Sequence, residues 1–278
     1  MRRVLIAGCG YVGEAAANRF HEAGWEVEGW TASEESAAKL SNRPYPIRAV
    51  DITTAIASGS FEVVIHCVSS RGGDEAAYRR LYFEGAKNLI GAFPTATLLF
   101  TSSTSVYAQT DGSVVDENSA AEPRHPKGQI LRETEDLVLA AGGIVARLGG
   151  IHGPGRSFFL TRFLEGILPN QPDRLINQAH RDDIVSALVL LAERREQCRG
   201  EVFNVVGDAP ITARDAHVFL SSRLKRSLPE SAADGRPRKR GESNKRVSNR
   251  KLRGLGWEPR YPTFEVAMRE NILPSFGF

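Results

Sequence analysis

Short apolar runs alternate with amphipathic stretches along the first half of the chain. Apolar runs of about four to eight residues between turn formers are typical of buried strands, whereas apolar positions three and four residues apart are typical of helices. The predicted strands are RVLIA (3–7), WEVEGW (25–30), PIRAV (46–50), FEVVIHCV (61–68), ATLLFTSS (96–103) and GIVARL (143–148). The predicted helices are EAAANRFHEAG (14–24), EESAAKL (34–40) and DEAAYRRLYFEGAKNLIGAF (74–93). This order predicts an α/β protein with a Rossmann-type doubly wound parallel sheet.

The alternation weakens in the second half of the chain. Helices are predicted near 158–167 and at 182–193, and a strand at 201–206. The stretch 229–246 is rich in charges and turn formers but has no periodicity, which predicts a long loop. We expect this half to form a smaller lobe that covers the strand ends of the first half.

A glycine-rich turn follows the first predicted strand. Gly8, Gly10 and Gly13 form the pattern G-x-G-x-x-G between that strand and the next helix. Glycines at these places allow a tight turn, a close approach of the backbone to a pyrophosphate, and close packing of the helix on the strand. The pattern predicts a dinucleotide site, with Tyr11 and Val12 as further binding residues. An ordinary glycine-rich turn is the alternative.

The end of the second strand bears on the choice between NAD and NADP. An acid there would hold the ribose hydroxyls of NAD, and an arginine would hold the 2′-phosphate of NADP. Glu28 has the right spacing but falls inside the strand, and the tip offers Thr31 and Ser33 instead. Small hydroxyls tolerate a 2′-phosphate, so the cofactor is predicted as NAD(P) with a slight preference for NADP.

Composition limits the class of protein. Lys and Arg number 36 against 33 Asp and Glu, a near balance that does not indicate nucleic-acid binding. The three cysteines, Cys9, Cys67 and Cys198, lie far apart and form no pair with metal-ligand spacing, so no metal site is predicted. No apolar run approaches the length of a membrane span, and the first residues do not resemble a signal peptide. We expect a soluble, cytoplasmic protein.

A series of loose motifs occurs in a specific order along the chain. They are AVDIT (49–53), VVIHCVSS (63–70), LLFTSSTSVYAQ (98–109), ARLGGIHGPGR (146–156), AHRDDIVSAL (179–188), GEVFNVVGDAPIT (200–212) and KRVSNRKLRGLGWEPRYPT (245–263). Over nearly its whole length the chain resembles the extended short-chain dehydrogenase/reductase superfamily, the group of NAD-dependent epimerases and dehydratases that act on nucleotide sugars. The resemblance implies an NAD(P)-binding Rossmann domain over residues 1–155. It also implies a substrate-binding lobe over residues 156–278, some of whose strands and helices return to the first domain.

The resemblance also implies roles for individual residues. Asp51 and Ile52 would meet the adenine, and Cys67 and Val68 would lie along the cofactor near its ribose and phosphate. Ser103 takes the place of the catalytic Ser or Thr of the superfamily and would hydrogen-bond a substrate oxygen. Simpler structural roles remain open: Asp51 as a helix cap, Cys67 as a small buried residue, and Ser103 as a partner for strand-end backbone groups.

One departure from the superfamily concerns its proton-transfer residues. In members, a Tyr-x-x-x-Lys pair follows the SSxxVY segment and precedes a helix, with the Lys four residues after the Tyr and so on the same helix face. Alignment on Glu135 puts Lys127 in the tyrosine position and Leu131 in the lysine position. His125 and Lys127 are therefore the candidate proton donors, with solvated loop residues as the alternative. A second departure is Tyr82, where members often have Asn.

A basic stretch near the carboxyl end offers a possible phosphate ligand. It contains Arg238, Lys239, Arg240, Lys245, Arg246, Arg250, Lys251 and Arg253. An arginine of this lobe grips the substrate diphosphate in nucleotide-sugar enzymes of the superfamily, and Arg246 is the candidate here. For most of the others a solvated loop is the expected state, and the lack of interleaved aromatic residues argues against nucleic-acid binding.

These features leave two functions open. The first is an atypical NAD(P)-dependent epimerase, dehydratase or reductase acting on a nucleotide-sugar-like or other small oxygenated substrate, with a homodimer possible. The alternative is a non-catalytic NAD(P)-binding redox sensor or regulatory protein, which the missing Tyr and Lys favour.

Overall fold

The computed structural model describes residues 2–54, 56, 59–70, 72–168, 171–229 and 243–278. Of the loop predicted at 229–246, residues 230–242 lie outside this description, and with them Arg238, Lys239 and Arg240. Within the described part of the chain, no helix has the length and apolar character needed to cross a membrane.

A seven-stranded parallel sheet forms the centre of the fold. Its strands are β1 (Arg3–Ala7), β2 (Glu26–Thr31), β3 (Ile47–Ala49), β4 (Val63–His66), β5 (Thr97–Ser103), β7 (Ile144–Leu148) and β11 (Val202–Val205). They are ordered β3-β2-β1-β4-β5-β7-β11, and every neighbouring pair is parallel. This order reverses direction between β1 and β4, as in a doubly wound Rossmann sheet. The predicted fold class is confirmed.

Short strands and helices complete the chain. The short strands are β6 (Val114–Val115), β8 (Gly150–His152), β9 (Leu175–Ile176), β10 (Gln178–His180), β12 (Ile211–Thr212) and β13 (Arg246–Val247). The helices are α1 (Gly13–Glu22), α2 (Glu34–Ala38), α3 (Glu75–Tyr78), α4 (Gly85–Ala92), α5 (Pro126–Ala140), α6 (Phe158–Leu164), α7 (Arg181–Glu193), α8 (Arg195–Cys198), α9 (Ala213–Leu224), α10 (Arg250–Gly254), α11 (Phe264–Ala267) and α12 (Leu273–Ser275).

The helix predicted over 74–93 contains a change of helical type. α3 and α4 are joined by the π-helical segment Arg79–Glu84, so the helical path is continuous from residue 75 to residue 92. A π-helical turn adds a residue to the hydrogen-bonded ring and rotates the side chains around it, and such turns are frequent at functional sites. The apolar spacing in the sequence predicted a helix over this range but did not predict the π-helical turn within it.

Helices cover both faces of the sheet. Because successive strand residues point to opposite faces, Ile6 packs with Phe20 of α1 and Leu188 of α7, while Leu5 packs with residues of α4 and α5 such as Leu89. A third apolar cluster joins α6, α9, α11 and the segment that follows α11. Since β11 is an edge strand of the main sheet, residues beyond 155 contribute to it. The division into 1–155 and 156–278 stays a prediction.

A buried polar network connects β5, β7 and α5. Arg147 donates to the Glu135 carboxylate from Nε, to Oε1 at 3.0 Å and Oε2 at 3.2 Å, and from Nη2, to Oε2 at 2.6 Å. Ser102 Oγ donates to the same Oε1 at 2.6 Å, and Arg147 Nη1 donates to the Tyr107 hydroxyl at 2.8 Å. The Tyr107 hydroxyl donates in turn to Asn204 Oδ1. The Glu135 side chain is fully buried and that of Arg147 is 3% exposed, so each charge depends on the other.

Removing one partner of this pair should destabilise the fold strongly. The substitution Glu135→Ala leaves the Arg147 guanidinium buried without its counter-charge, and we expect a loss of about 3–5 kcal/mol in the free energy of unfolding. Urea unfolding followed by circular dichroism measures this. Asp136→Ala is the matched control, because Asp136 pairs with Arg132 at the surface and should contribute less than about 1 kcal/mol. Equal losses in the two variants would contradict the prediction.

Candidate functional site

The carboxyl ends of the sheet strands open onto one large cavity. Its volume is about 640 Å³, and it lies where the strand order reverses between β1 and β4. Ligands of open α/β sheets bind at this kind of position. The predicted residues that line the cavity are Gly8, Gly10, Tyr11, Val12, Thr31, Asp51, Ile52, Cys67, Val68 and Ser103. The predicted residues that do not line it are Gly13, His125, Lys127 and Arg246.

Two glycines of the turn after β1 are required by close packing. Gly8 has φ +104°, and a Cβ there would lie 2.7 Å from the backbone nitrogen of Val68. A Cβ on Gly13 would overlap the carbonyl oxygen of Gly8. These glycines therefore bring the turn against the end of β4 and seat α1 on β1.

Gly10 has a different environment. A Cβ built on Gly10 has no heavy atom within 4 Å, so its missing side chain leaves open space in the cavity wall. Within the described chain, the backbone N–H groups of Tyr11, Val12 and Gly13 make no hydrogen bond, while the Gly10 carbonyl accepts from Glu14 N. Free amides at the positive end of α1 beside open space can hold a pyrophosphate, so these residues fit a dinucleotide.

Hydroxyl groups line the cavity beyond the tip of β2. Thr31, Ser33 and Ser36 face it, and Thr31 Oγ1 donates to the Ser33 carbonyl at 3.2 Å. Glu28 does not line this cavity: it lies within β2, accepts from the Trp30 indole at 2.8 Å and pairs with an arginine of β3. Among the described residues, those that line the cavity at the β2 tip, Trp30 to Ser33, include no carboxylate, although NAD-binding proteins often hold the ribose diol with one there.

The ends of β3 and β4 supply further residues of the cavity wall. Asp51 lines the cavity and also accepts from Thr53 N at 2.9 Å, so the carboxylate closes a local turn as well. Ile52 and Val68 add apolar surface beside it. Burial raises the pKa of the Cys67 thiol to about 12, so this cysteine is a neutral lining group near neutral pH.

Two adjacent serines at the end of β5 have different partners. Ser102 is committed to Glu135 through its hydroxyl proton. Ser103 Oγ accepts from Ser105 N at 3.2 Å at the start of a short 3-10 turn, Thr104–Val106, and its own proton remains available to the cavity. Ser103 can therefore donate a hydrogen bond to a ligand oxygen.

The first turn of α5 holds the two candidate proton donors. His125 is the amino-terminal cap of this helix, and its Nδ1 accepts from Lys127 N at 3.3 Å. Lys127 Nζ donates to the Gly73 carbonyl at 2.6 Å and lies 5.3 Å from the ring centroid of Tyr78. One turn later, Leu131 lines the cavity with an apolar side chain.

Two tyrosines of the neighbouring helical segment enter the cavity wall. Tyr78 and Tyr82 both line it, with ring centroids 4.9 Å apart. The π-helical turn carries Tyr82, and His66 of β4 stacks on its ring and contacts the Leu81 carbonyl through Nε2. The Tyr82 hydroxyl accepts from Ser70 N at 3.4 Å, which leaves its proton free to donate.

Sequence reasoning missed several lining residues. It treated Tyr82 only as a departure and assigned no binding role to the HGPGR segment, whereas Arg156 at the end of that segment lines the cavity. Arg246 lies exposed on β13, which pairs with β6. The described residues contain no cluster of His, Cys, Asp or Glu that could hold a metal ion.

Comparison with known proteins identifies a family. Residues 4–206 match the model of the NAD dependent epimerase/dehydratase family. Protein YeeZ of Escherichia coli K12 is 26% identical, with 94% of this chain and 97% of that protein covered.

Solved structures share the fold. The UDP-glucuronic acid 4-epimerase of Bacillus cereus, in complex with NAD, superposes with a TM-score of 0.82 at 17% identity and covers 99% of this chain and 98% of its own. The dTDP-glucose 4,6-dehydratase of Bacillus anthracis, also in complex with NAD, gives 0.82 at 17% identity and covers 100% and 97%.

Substitution by alanine should affect two different properties at two glycines of the turn: stability at Gly13 and cofactor binding at Gly10. Gly13→Ala should lower the free energy of unfolding by about 1–3 kcal/mol, because the new methyl group displaces α1 from β1. Gly10→Ala should leave stability within about 0.5 kcal/mol and weaken NADH binding about tenfold, because the methyl group fills the space next to the free amides. Thermal unfolding and fluorescence titration with NADH measure the two effects. Undiminished NADH binding by the Gly10 variant would exclude this turn as the pyrophosphate site.

Proposed function

Because this chain belongs to the NAD-dependent epimerase/dehydratase family, we propose that it is an NAD(P)-dependent enzyme acting on a nucleotide-sugar-like or other small oxygenated substrate. The reaction is of the epimerase, dehydratase or reductase type. One observation carries this proposal: the glycine-rich turn, Asp51 and Ser103 line a single cavity, so a dinucleotide at the turn and a substrate oxygen at Ser103 would share one space. NAD(P), when bound, supplies hydride transfer at its nicotinamide.

The proposed cofactor site uses backbone donors and small side chains. The free amides of residues 11–13 hold the pyrophosphate, and Asp51 with Ile52 borders the adenine. The hydroxyls beyond β2, without a nearby carboxylate, support the slight preference for NADP. In this arrangement Ser103 orients the substrate oxygen through its free proton.

We assign the proton donor to Tyr82 in preference to His125 or Lys127. His125 caps α5 and Lys127 is bound to the Gly73 carbonyl, and neither lines the cavity. Tyr82 lines the cavity, and because its hydroxyl accepts from Ser70 N, its own proton is free to donate. The role that the superfamily gives to a tyrosine of the α5 position would thus move to the adjacent helical segment.

A non-catalytic NAD(P)-binding role is the second candidate. The observation that favours it is Leu131, an apolar lining residue in the position where the superfamily has its lysine. Incubation of the protein with NADH or NADPH and a panel of nucleotide sugars and small carbonyl compounds separates the two functions. Nicotinamide absorbance reports net reduction, and NMR reports epimerised or dehydrated product. Tight cofactor binding with no product from any compound favours the second function.

Loss of the Ser103 hydroxyl should affect turnover and not cofactor affinity. For Ser103→Ala we expect kcat to fall about 100-fold on any substrate found, because a donor to the reacting oxygen is lost. The dissociation constant for NADPH should change less than about twofold, since the hydroxyl does not contact the proposed pyrophosphate site. Ser105→Ala, two residues along and outside the cavity lining, is the matched control and should keep full activity. Unchanged turnover in the Ser103 variant would remove this residue from the site.

Substitutions at Tyr82 and Lys127 test the assignment of the proton donor. Tyr82→Phe keeps the ring stack with His66 and removes only the hydroxyl, so we expect kcat to fall about 100-fold or more at unchanged NADPH affinity. Lys127→Met removes a cation that contacts Gly73 and should change kcat less than about fivefold. The reverse order of the two effects would return the proton donor to α5.

A further inference from the structure

Arg156 is a cation of the cavity wall without an ion-pair partner among the described residues. Among the described residues that line the cavity, only Asp51 and Arg156 carry charge. Arg156 is exposed, and its guanidinium packs over the Tyr11 ring at 5.3 Å from the centroid. An exposed guanidinium stacked on an aromatic ring retains its planar set of N–H donors for an anionic ligand.

A tight turn fixes the backbone of this arginine. Gly153 and Arg156 exchange two backbone hydrogen bonds, at 2.9 and 3.0 Å, and Gly155 N donates to Ser275 Oγ at 2.9 Å. The Tyr11 hydroxyl donates to the Pro154 carbonyl at 3.0 Å. The turn 153–156 is therefore attached directly to the glycine-rich turn, although the two are far apart in the sequence.

The position of this cation matches a charge requirement of the proposed cofactor. A dinucleotide carries two negative charges on its pyrophosphate, while a helix terminus contributes only about half a positive charge. The free amides that would receive the pyrophosphate begin at Tyr11 itself, the residue on which Arg156 stacks. We propose that Arg156 clamps the pyrophosphate diester of the bound dinucleotide, with Tyr11 as the platform that aims it. This inference rests on the proposed function.

Arg181 is a second arginine on the Tyr11 ring and serves as the control for Arg156. Its guanidinium also packs against the Tyr11 ring, at 5.2 Å, but its Nε donates to Asp182 Oδ1 at 2.8 Å and it does not line the cavity. Two arginines thus share one ring, one paired with a carboxylate and one facing the cavity. A loss of ring stacking alone would affect both variants equally, whereas a phosphate contact is specific to Arg156.

Nucleoside diphosphate sugars contain the same pyrophosphate chemistry, so the experiment has two ligand arms. The full-length protein and its Arg156→Gln and Arg181→Gln variants are titrated with NADH and NADPH by fluorescence and with UDP-glucose by calorimetry. For Arg156→Gln we expect the dissociation constants of NADH and NADPH to rise about tenfold and to depend less on salt. For Arg181→Gln they should stay within about twofold of the parent value, and UDP-glucose binding, where the parent shows it, should be unchanged in both. Arg156→Lys should lie between parent and Arg156→Gln, because the charge remains and the planar fork is lost.

Three results would overturn the clamp. They are undiminished dinucleotide binding by Arg156→Gln, an equal loss in Arg181→Gln, and a loss confined to UDP-glucose, which would move the contact to the substrate. Failure of the parent protein to bind either dinucleotide would overturn the proposed function together with the clamp. Circular dichroism of each variant separates loss of a contact from loss of fold.

Discussion

The close approach of the glycine-rich turn to the end of β4 is the constraint on which the site depends. Gly8 lies so near the backbone of Val68 that no side chain fits between them, and Gly13 packs against the carbonyl of Gly8. Because the two strands are parallel neighbours, this packing places the first turn of α1 at the carboxyl edge of the sheet, at the point where the strand order reverses. The cavity lies beside this turn and is lined by Gly10, Tyr11 and Val12.

The same sheet separates two kinds of polar chemistry. Ser102 connects to a sealed network in which Glu135 and Arg147 neutralise each other away from water. Ser103, the next residue, offers its hydroxyl to the cavity. Alternation along a strand explains how neighbouring residues acquire such different roles. The buried network fixes the backbone of β5, so Ser103 is presented from a rigid element.

Local patterns in the sequence predicted the main strands, the parallel sheet and the glycine-rich turn, because burial and backbone conformation leave periodic signals in adjacent residues. Contacts between distant segments leave no such signal. Tyr11 and Pro154 are separated by 143 positions and Lys127 and Gly73 by 54, and nothing in the intervening sequence marks either pair. The alignment on Glu135 put Lys127 in the tyrosine position but did not indicate where its ammonium would bind. For the same reason the sequence patterns assigned no binding role to Arg156.

The π-helical turn explains why the polar side chain in this part of the cavity wall comes from the segment 79–84 and not from α5. Helix α5 contributes the apolar side chain of Leu131 to the cavity wall. The Lys127 ammonium of the same helix donates to the Gly73 carbonyl, and neither of these residues lines the cavity. The turn at 79–84 brings Tyr82 into the wall, where His66 supports the ring from the sheet side. The π-helical segment contains one residue more than an α-helical segment of the same length would need. In a helix of uniform α type, the residues after this segment would therefore be rotated about the helix axis by about 100° relative to their present positions. The irregular helix therefore supplies a phenol to a cavity that α5 lines with leucine, and in the proposed function the proton donor depends on this local change of helical type.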